Sequence, residues 1–352
     1  MGTHSPIQTL FTALLVVAFG WGSGWIVLRG IEYFQPTTIA VETAGQQAAI
    51  IQKGSGALAD NIEHSTIKIM IGGDIMFDRG IRAIGERNGY SSLFDDSVKE
   101  LFKEADLVVA NLEGPITDKP SKTLVNGKTT DSFTFTFPLA ATEALKDAGI
   151  TMVSLANNHT DNFGSDGYYS TQRYLRDAGI EWFGNPWNST STKLTLRSTP
   201  DSAVSTFIER DGITIALVGY HAFQLGVDRV VDEIRRVSGP NVFTIVMPHW
   251  GEEYVTTPSA KMRSYARAFI AAGADAVIAA HPHIIAEHEW INGAPVYYSI
   301  GNLLFDQYFS PEVKRGLIVE LDISTNGHTV SLDRVGTHDA ITKPGIGVSL
   351  EK

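Results

Sequence analysis

The sequence predicts an α/β domain from residue 66 onward, with layers of helices over sheet. Apolar, β-branched runs of five to eight residues alternate with segments of helical periodicity. Three of the helical segments end in Ala-Gly or Ala-Ala-Gly, and glycine is a common residue just after the last turn of a helix. Strands that alternate with helices are typical of proteins in which helices pack over sheet.

The predicted elements follow one another along the chain. Strands are expected at 66–71, 106–110, 150–155, 213–220, 242–247 and 274–280. Helices are expected at 97–105, 141–149, 171–179, 227–236 and 261–273. The chain after Ala294 is rich in strand-forming segments, which indicates a second sheet region within the same domain.

Residues 1–30 are expected to form a membrane anchor. The stretch 9–28 contains no charged residue, and a helix of that length spans about 30 Å, the hydrocarbon thickness of a bilayer. The alternative is a cleaved signal peptide, but the stretch lacks a basic region before it and an Ala-x-Ala-like site directly after it. Residues 31–65 have no sustained periodicity and are expected to be a linker or stalk before the 66–352 domain.

Composition excludes several classes of protein. The net charge is −11 and no run of Lys or Arg forms a stripe, so nucleic acid is not an expected partner. The chain has no cysteine, which excludes a disulfide framework and a thiolate metal site. Any metal site must therefore use oxygen and imidazole ligands.

Polar side chains that can bind metal follow five of the predicted strands. They are carboxylates, amides and imidazoles, which suit Mn, Fe or Zn. The carboxyl ends of strands form the edge at which open α/β sheets bind ligands, so we expect these side chains to converge. They are Asp74 and Asp78, Asn111 and Glu113, Asn157, Asn158, His159 and Asp161, His249 and Glu253, and His281 and His283.

His281 and His283 flank Pro282 at the end of a buried strand. In extended backbone, side chains at positions i and i+2 point the same way, so both imidazoles are expected to face one locus. A carboxylate among several histidines suits a site for two divalent cations, which can activate water and stabilise charge during a displacement. A lone histidine is more often a hydrogen-bonded core residue, and we expect that of His221 and His288.

Six motifs occur in order between Ile67 and Ile323: GGDIMFDR, NLEGPIT, SLANNHTDNFG, PHWGEEY, AAHPHI and YYSIGNLLFDQ. Together they resemble the CapA/PgsA-type capsule synthesis proteins, the poly-γ-glutamate capsule family related to calcineurin-like metallophosphoesterases. The resemblance implies a four-layer α/β/β/α metallophosphoesterase-like sandwich, preceded by an N-terminal transmembrane helix. It also implies a single-pass protein of the cell membrane with its catalytic domain outside the cell.

The resemblance assigns roles to individual residues. His159 would donate a proton to the leaving group, and Asp161 would orient it. Further residues expected to contact the substrate or support the ligands are Asp78, Arg79, Asn111, Glu253 and Asn302, although Asp78 could instead cap a helix. The expected metal ligands are Asp74, Glu113 in place of a bridging aspartate, Asn158, His249, His281 and His283.

Two functions remain open. The first is a metal-dependent hydrolase-like protein of capsule or cell-surface polymer synthesis, with two divalent cations and an anionic polymer such as poly-γ-glutamate as substrate. The second is a non-catalytic subunit that holds or exports the polymer together with other capsule synthase subunits. Met76 stands where the metallophosphoesterase motif Asp-x-His has its histidine, and a thioether is a poor ligand for a hard metal. This favours the second function, whereas the otherwise intact set of ligands disfavours it.

Overall fold

The computed structural model describes residues 65–187, 204–224 and 226–351. These residues belong to one compact unit, Asp60–Lys352. The expected anchor at 1–30, and all but the last residue of the expected linker at 31–65, lie outside the described residues. In the part of the chain that the structure describes, no helix is long and apolar enough to cross a membrane.

The described residues contain sixteen strands and six α-helices. The strands are β1 (Ser65–Ile75), β2 (Leu107–Leu112), β3 (Leu124–Val125), β4 (Lys128–Thr129), β5 (Met152–Ser154), β6 (Glu181–Phe183), β7 (Ser205–Arg210), β8 (Ile213–His221), β9 (Val242–His249), β10 (Ala276–Ile278), β11 (His288–Ile291), β12 (Ala294–Tyr297), β13 (Asn302–Leu304), β14 (Arg315–Thr325), β15 (Val330–Lys343) and β16 (Gly347–Leu350). The helices are α1 (Arg79–Asn88), α2 (Asp96–Phe102), α3 (Ala140–Asp147), α4 (Gly164–Ala178), α5 (Val227–Val237) and α6 (Ala260–Ala272).

Two large sheets form the centre of the fold. The first has the order β16-β15-β14-β1-β2-β5-β6, with β13 also paired to β1. The second has the order β11-β12-β10-β9-β8-β7. Strands β1, β2, β5 and β6 run parallel in the first sheet, as do β8, β9, β10 and β12 in the second. The carboxyl ends of parallel strands lie at the same edge of each sheet, and that edge carries the candidate site.

Three apolar clusters place the helices and sheets in layers. Alternate residues of β1, such as Ile69 and Ile71, pack against Ile215 and Ile245 of the second sheet. The outer face of the first sheet packs on helices α1 to α4. The outer face of the second sheet packs on α5 and α6, whose apolar residues lie on one side of each helix, as with Ile234. The layers therefore follow the order helix, sheet, sheet, helix.

The sequence indicated a second sheet region after Ala294 within the same domain, but the strands there join the two central sheets instead. Strands β14, β15 and β16 are antiparallel and extend the first sheet beyond β1, whereas β11 and β12 belong to the second sheet. The reason is that β14 pairs with β1 along nearly its whole length, from Ser65 with Thr325 to Gly72 with Ile318. The end of the chain thus completes the sheet that its beginning started.

A close backbone approach places β13 beside the end of β1. A β-carbon at Gly73 would lie 1.9 Å from the carbonyl oxygen of Gly301, so only glycine fits there. The same carbonyl accepts a hydrogen bond of 3.2 Å from the backbone N–H of Asp74. Asp74 and Asn302 are consequently register partners across the parallel β1–β13 pair.

Candidate metal centre

The polar residues predicted after the strands lie together at the shared edge of the two sheets. Asp74 is the last residue but one of β1, Glu113 follows β2 directly, and His249 ends β9. All of the carboxylates and imidazoles named as ligands are buried, including Asp74 and Glu113 with no exposed surface. The site therefore combines side chains from both sheets, and not from one sheet alone.

Glu113 lies at the centre of the cluster. Its Oε1 atom lies 3.7 Å from Nε2 of His249, 3.7 Å from Nε2 of His283 and 4.0 Å from Nε2 of His159. Both of its carboxylate oxygens are buried and have no hydrogen-bond partner. Leaving a buried carboxylate unpartnered is costly, so this arrangement indicates a place for a cation.

One side of Glu113 is bordered by His249, His281 and Asn158. Nε2 of His249 lies 2.7 Å from Oδ1 of Asn158 and 3.1 Å from Nδ1 of His281. The donor atoms of Glu113, His249 and His281 all lie within 4.8 Å of one another. An amide oxygen, a carboxylate and two imidazoles are a ligand set that suits Mn, Fe or Zn.

The other side of Glu113 is bordered by Asp74 and His283. Oδ2 of Asp74 lies 3.2 Å from Nδ1 of His283, and the donor atoms of Asp74, Glu113 and His283 also fall within 4.8 Å of one another. Glu113 belongs to both groups of three. A carboxylate shared in this way is what a bridge between two cations requires.

Asn302 and Asn111 support this second group. Oδ1 of Asn302 lies 3.0 Å from Nδ1 of His283, and its Nδ2 atom donates to the backbone oxygens of His283 and Val313. The Nδ2 atom of Asn111 donates to Oδ1 of Asp74 over 2.6 Å. Side chains that bind metal ligands in this way fix the orientation of those ligands.

The backbone around the two histidines is not extended, contrary to the prediction. The φ angles are +96° at His281 and +58° at His283, both in the left-handed region that residues with a β-carbon seldom adopt. The rings converge because the chain turns sharply around Pro282, and the ring centroids lie 6.0 Å apart. Strain of this kind persists only where the surrounding structure imposes it, and it is concentrated at functional sites.

Burial sets the protonation of the cluster. It lowers the pKa of His281 to about 4 and that of His249 well below its ordinary value, so both imidazoles are neutral near pH 7. Burial acts in the same direction on His283, but the carboxylates of Glu113 and Asp74 outweigh it and raise the pKa to about 9. Burial together with the Asp74 charge raises the pKa of Glu113 well above its ordinary value.

The partner of His159 is Asn162, not Asp161. Nδ1 of His159 lies 3.1 Å from Oδ1 of Asn162, whereas Oδ2 of Asp161 accepts a hydrogen bond from Nε1 of Trp187. The expectation that Asp161 orients His159 was therefore wrong, because the turn after residue 159 brings the amide and not the carboxylate under the ring. Asn162 was missed because Asp161 and Asn162 are equally plausible partners in the sequence.

Burial also fixes the proton on His159. It lowers the pKa of His159 to about 4, so the imidazole is neutral at pH 7. Because the amide oxygen of Asn162 can only accept, it holds the single proton on Nδ1. Nε2 then carries a lone pair toward Glu113 and can accept a proton, whereas the predicted role of donor would require a second proton first.

The remaining predicted residues lie around this cluster in different roles. Asp78 is the N-cap of α1, and its fully buried carboxylate accepts from the backbone of Arg79 and from Nε of Arg82. Arg79 pairs instead with Asp306 at 2.5 Å. Glu253 is exposed on the loop after β9, where its charge still acts on Glu113.

Met76 lies outside the two groups of candidate ligands. It is fully buried among apolar residues on the helix side of the first sheet, and its sulfur accepts from the backbone N–H of Asp78. The group of Asp74, Glu113 and His283 thus gains no thioether ligand in this arrangement.

His221 lies closer to the site than the sequence indicated. It ends β8 as the register partner of His249, and the two ring centroids lie 6.3 Å apart. Its Nδ1 atom lies 3.2 Å from the backbone oxygen of Pro186, which agrees with a hydrogen-bonded core residue. His288, in contrast, is exposed on β11 and stacks on Tyr297.

Comparison with known proteins gives one family match. The model of the bacterial capsule synthesis protein PGA_cap matches residues 68–307. The chain is 27% identical over 282 residues to the capsule biosynthesis protein CapA of Bacillus anthracis. The aligned region covers 78% of this chain and 67% of that protein. The chain is also 26% identical over 289 residues to the PGA biosynthesis protein CapA of Bacillus subtilis (strain 168), with 77% and 72% covered.

Solved structures show a more distant likeness. A hypothetical protein from Thermus thermophilus has a TM-score of 0.47 at 16% identity and covers 78% of this chain and 98% of its own. The calcineurin-like phosphoesterase YfkN from Bacillus subtilis has a TM-score of 0.45 at 13% identity, with 78% and 90% covered.

Proposed function

Because the chain belongs to the bacterial capsule synthesis protein family, we propose that it is a metal-dependent hydrolase of capsule or cell-surface polymer synthesis. The observation that carries the proposal is the buried carboxylate of Glu113, which has no hydrogen-bond partner and belongs to both groups of metal-binding side chains. A purely structural carboxylate would be expected to have a partner.

The residues divide between two cation positions that share Glu113. One position would be held by Glu113, Asn158, His249 and His281, and the other by Asp74, Glu113 and His283. We propose Mn, Fe or Zn at both, in keeping with the ligand types. Divalent cations at such a site polarise a carbonyl or phosphoryl group and lower the pKa of water.

His159 moves the proton in the proposed reaction. Its Nε2 atom faces the centre 4.0 Å from Glu113 and carries a lone pair when Nδ1 is hydrogen-bonded to Asn162. We propose that Nε2 accepts the proton of the attacking water and passes it to the leaving group. The ring of Phe135, with its centroid 4.4 Å from that of His159, holds the imidazole from one side and excludes water there.

The proposed substrate is an anionic polymer such as poly-γ-glutamate, and the bond cleaved is an amide or a phosphoester. We further propose that residues 1–30 anchor the protein in the cell membrane with the domain outside the cell, where other capsule synthase subunits can reach it. The charge-free stretch 9–28 supports the anchor.

A non-catalytic polymer-binding or export role is the second candidate. The position of Met76 favours it, since the group of Asp74, Glu113 and His283 has no fourth ligand from that residue. A cation with few protein ligands could stabilise the fold or bind polymer without turnover.

A turnover assay separates the two candidates. The purified chain is supplied with Mn and tested on bis-p-nitrophenyl phosphate and on γ-linked glutamyl oligomers, alongside His159→Ala and Glu113→Gln. The hydrolase proposal expects turnover of at least one substrate by the wild type, with a loss of about a hundredfold in His159→Ala. Absence of turnover, together with polymer binding that survives in His159→Ala, would establish the non-catalytic role.

A further inference from the structure

Arg79 lies one aromatic ring away from two histidines of the candidate centre. Its guanidinium carbon is 5.1 Å from the ring centroid of Phe135 and 5.4 Å from that of Phe305. The Phe135 ring packs on His159, and the Phe305 ring packs on His283 with centroids 4.7 Å apart. A cation at these distances is attracted by both ring faces, so the guanidinium is held beside the centre.

The position of Arg79 is imposed by its surroundings. Its backbone has a φ angle of +48°, a strained conformation for a residue with a β-carbon. Its Nη2 atom forms an ion pair with Asp306, whose other oxygen accepts from the backbone N–H of Gly80 over 2.8 Å. The side chain of Arg79 retains 14% of its surface exposed, so solvent still reaches it.

The hydrogen-bonding capacity around Arg79 is only partly used. Its Nε atom and the hydroxyl of Tyr308 are buried without a hydrogen-bond partner, and Oδ1 of Asp306 meets Arg79 only through the ion pair with Nη2. Tyr308 is close enough that the charges of Asp306 and Arg79 act on it, although burial is the main cause that raises its pKa to about 12. A buried donor without an acceptor destabilises the protein, and an anion that accepts from the Arg79 guanidinium would remove part of that cost.

These observations favour an anion over other ligands. Arginine is always charged and presents several donors in one plane, which matches the two oxygens of a carboxylate or a phosphate. The rings of Phe135 and Phe305 contribute no negative charge, and the one carboxylate paired with Arg79 occupies Nη2. The unpartnered Nε remains for a second acceptor.

We propose that Arg79 binds an anionic group of the substrate, a carboxylate or a phosphate, next to the bond that the centre cleaves. This inference rests on the proposed function, which supplies the substrate. The position of Arg79 beside the centre is independent of that function. In a γ-linked glutamyl chain the group would be the α-carboxylate of the residue beside the cleaved bond. In a phosphoester it would be a phosphate oxygen.

The test is anion binding by the full chain loaded with Mn. Isothermal titration measures the affinity for inorganic phosphate and, separately, for γ-linked triglutamate. In Arg79→Gln, we expect the affinity for one or both probes to fall about tenfold or more, since charge-assisted hydrogen bonds are among the strong ones. A loss for triglutamate alone assigns a carboxylate site, and a loss for phosphate alone assigns a phosphate site.

Arg87→Gln is the matched control, because Arg87 is an exposed arginine on the same helix and its loss changes the net charge equally. Its affinity for both probes should stay within about twofold of wild type, which limits any long-range effect of charge. Mn affinity should be unchanged in both variants because neither arginine is a proposed ligand.

The inference is wrong if Arg79→Gln binds both probes as tightly as wild type, or if wild type binds neither. Arg79→Lys covers the case in which Arg79→Gln does not fold, since it keeps the charge and loses the planar fork. We expect it to weaken binding of the affected probe, and wild-type affinity in this variant would contradict a role for the fork. Anion binding without any turnover would reject the hydrolase proposal and leave this inference standing.

Discussion

Nε2 of His249 and Nδ1 of His281 lie 3.1 Å apart, on two buried imidazoles that come from neighbouring strands of one sheet. Since burial keeps both rings neutral near pH 7, at most one proton is shared between these nitrogens. A cation held by both nitrogens would release no net proton from the pair, because the proton between them would move to the other nitrogen of its ring. His283 differs, because its pKa is raised to about 9 and it holds an additional proton near pH 7. The two sides of Glu113 therefore lead to different predictions.

Glu113→Gln should stabilise the metal-free protein. The substitution replaces a buried carboxyl group, whose oxygens have no hydrogen-bond partner, by a neutral amide. At a pH where Glu113 is ionised, we expect the free energy of unfolding in EDTA to rise by about 1–3 kcal/mol. The variant should also lose most of the increase in melting temperature that Mn gives to wild type. Thermal unfolding with EDTA and with Mn measures both. A variant that melts lower than wild type in EDTA and still responds fully to Mn would contradict a bridging role.

Metal affinity should rise with pH between 7 and 9. The carboxylates around His283 raise its pKa to about 9, so the metal-free site holds a proton there that a cation must displace. Affinity should therefore increase as the pH approaches 9, by up to about tenfold per pH unit for one proton released. Calorimetry in two buffers of different ionisation enthalpy counts the protons. In His283→Gln this dependence should disappear, and its persistence would assign the proton to another group.

Asp275 should make stability fall as the pH rises from 4 to 6. Burial raises its pKa from 3.8 to about 6, so the folded chain keeps a proton in this range that the unfolded chain has released. Its contribution to stability is present below pH 3.8 and is lost as the pH passes 6. Urea unfolding across this range should show a slope that Asp275→Asn removes, with a total effect of about 1 kcal/mol for this partly exposed group. Asp228→Asn, at an exposed aspartate of α5, is the control and should keep the slope.

Asn162→Ala should lower turnover without releasing metal. The substitution removes the acceptor that holds the proton on Nδ1 of His159, so Nε2 would lose its lone pair in part of the molecules. We expect activity to fall about tenfold to a hundredfold at unchanged Mn content. Asp161→Asn is the matched control, since that carboxylate binds Trp187 instead, and it should retain most activity. An equal loss of activity in both variants would contradict a specific role of Asn162 and would indicate that the turn is needed only for its overall conformation.

The convergence of the site residues was predictable because its signals are local. A buried apolar run followed by a polar residue marks the carboxyl end of a strand, and parallel strands bring those ends together. This pattern correctly brought Asp74, Glu113, His249 and His283 to one place, although their roles as metal ligands remain predictions. The α/β class was predictable for the same reason.

Features that depend on distant parts of the chain were not predictable. The helix at Arg79–Asn88 was missed because Gly80 and Gly85 weaken its helical pattern, and its N-cap Asp78 is fixed by Thr136, which lies far along the chain. The residues with left-handed backbone, His281 and His283, contact Asp74 of β1 and Asn302 of β13, which are distant in the chain, and no local signal shows this conformation. The pairing of β14 with β1 is likewise a contact between opposite ends of the domain.

Asn302 connects the C-terminal strands to the candidate centre. Its side chain lies within hydrogen-bond distance of His283. Its strand, β13, pairs with β1 and comes before the long hairpin of β14 and β15 in the sequence. The family match ends at residue 307, before that hairpin begins. A shortened protein cut at the family boundary would retain every histidine of the centre but expose the edge of β1 that β14 covers. The smallest fragment worth expressing therefore extends to residue 350, well beyond the point at which the recognisable motifs stop.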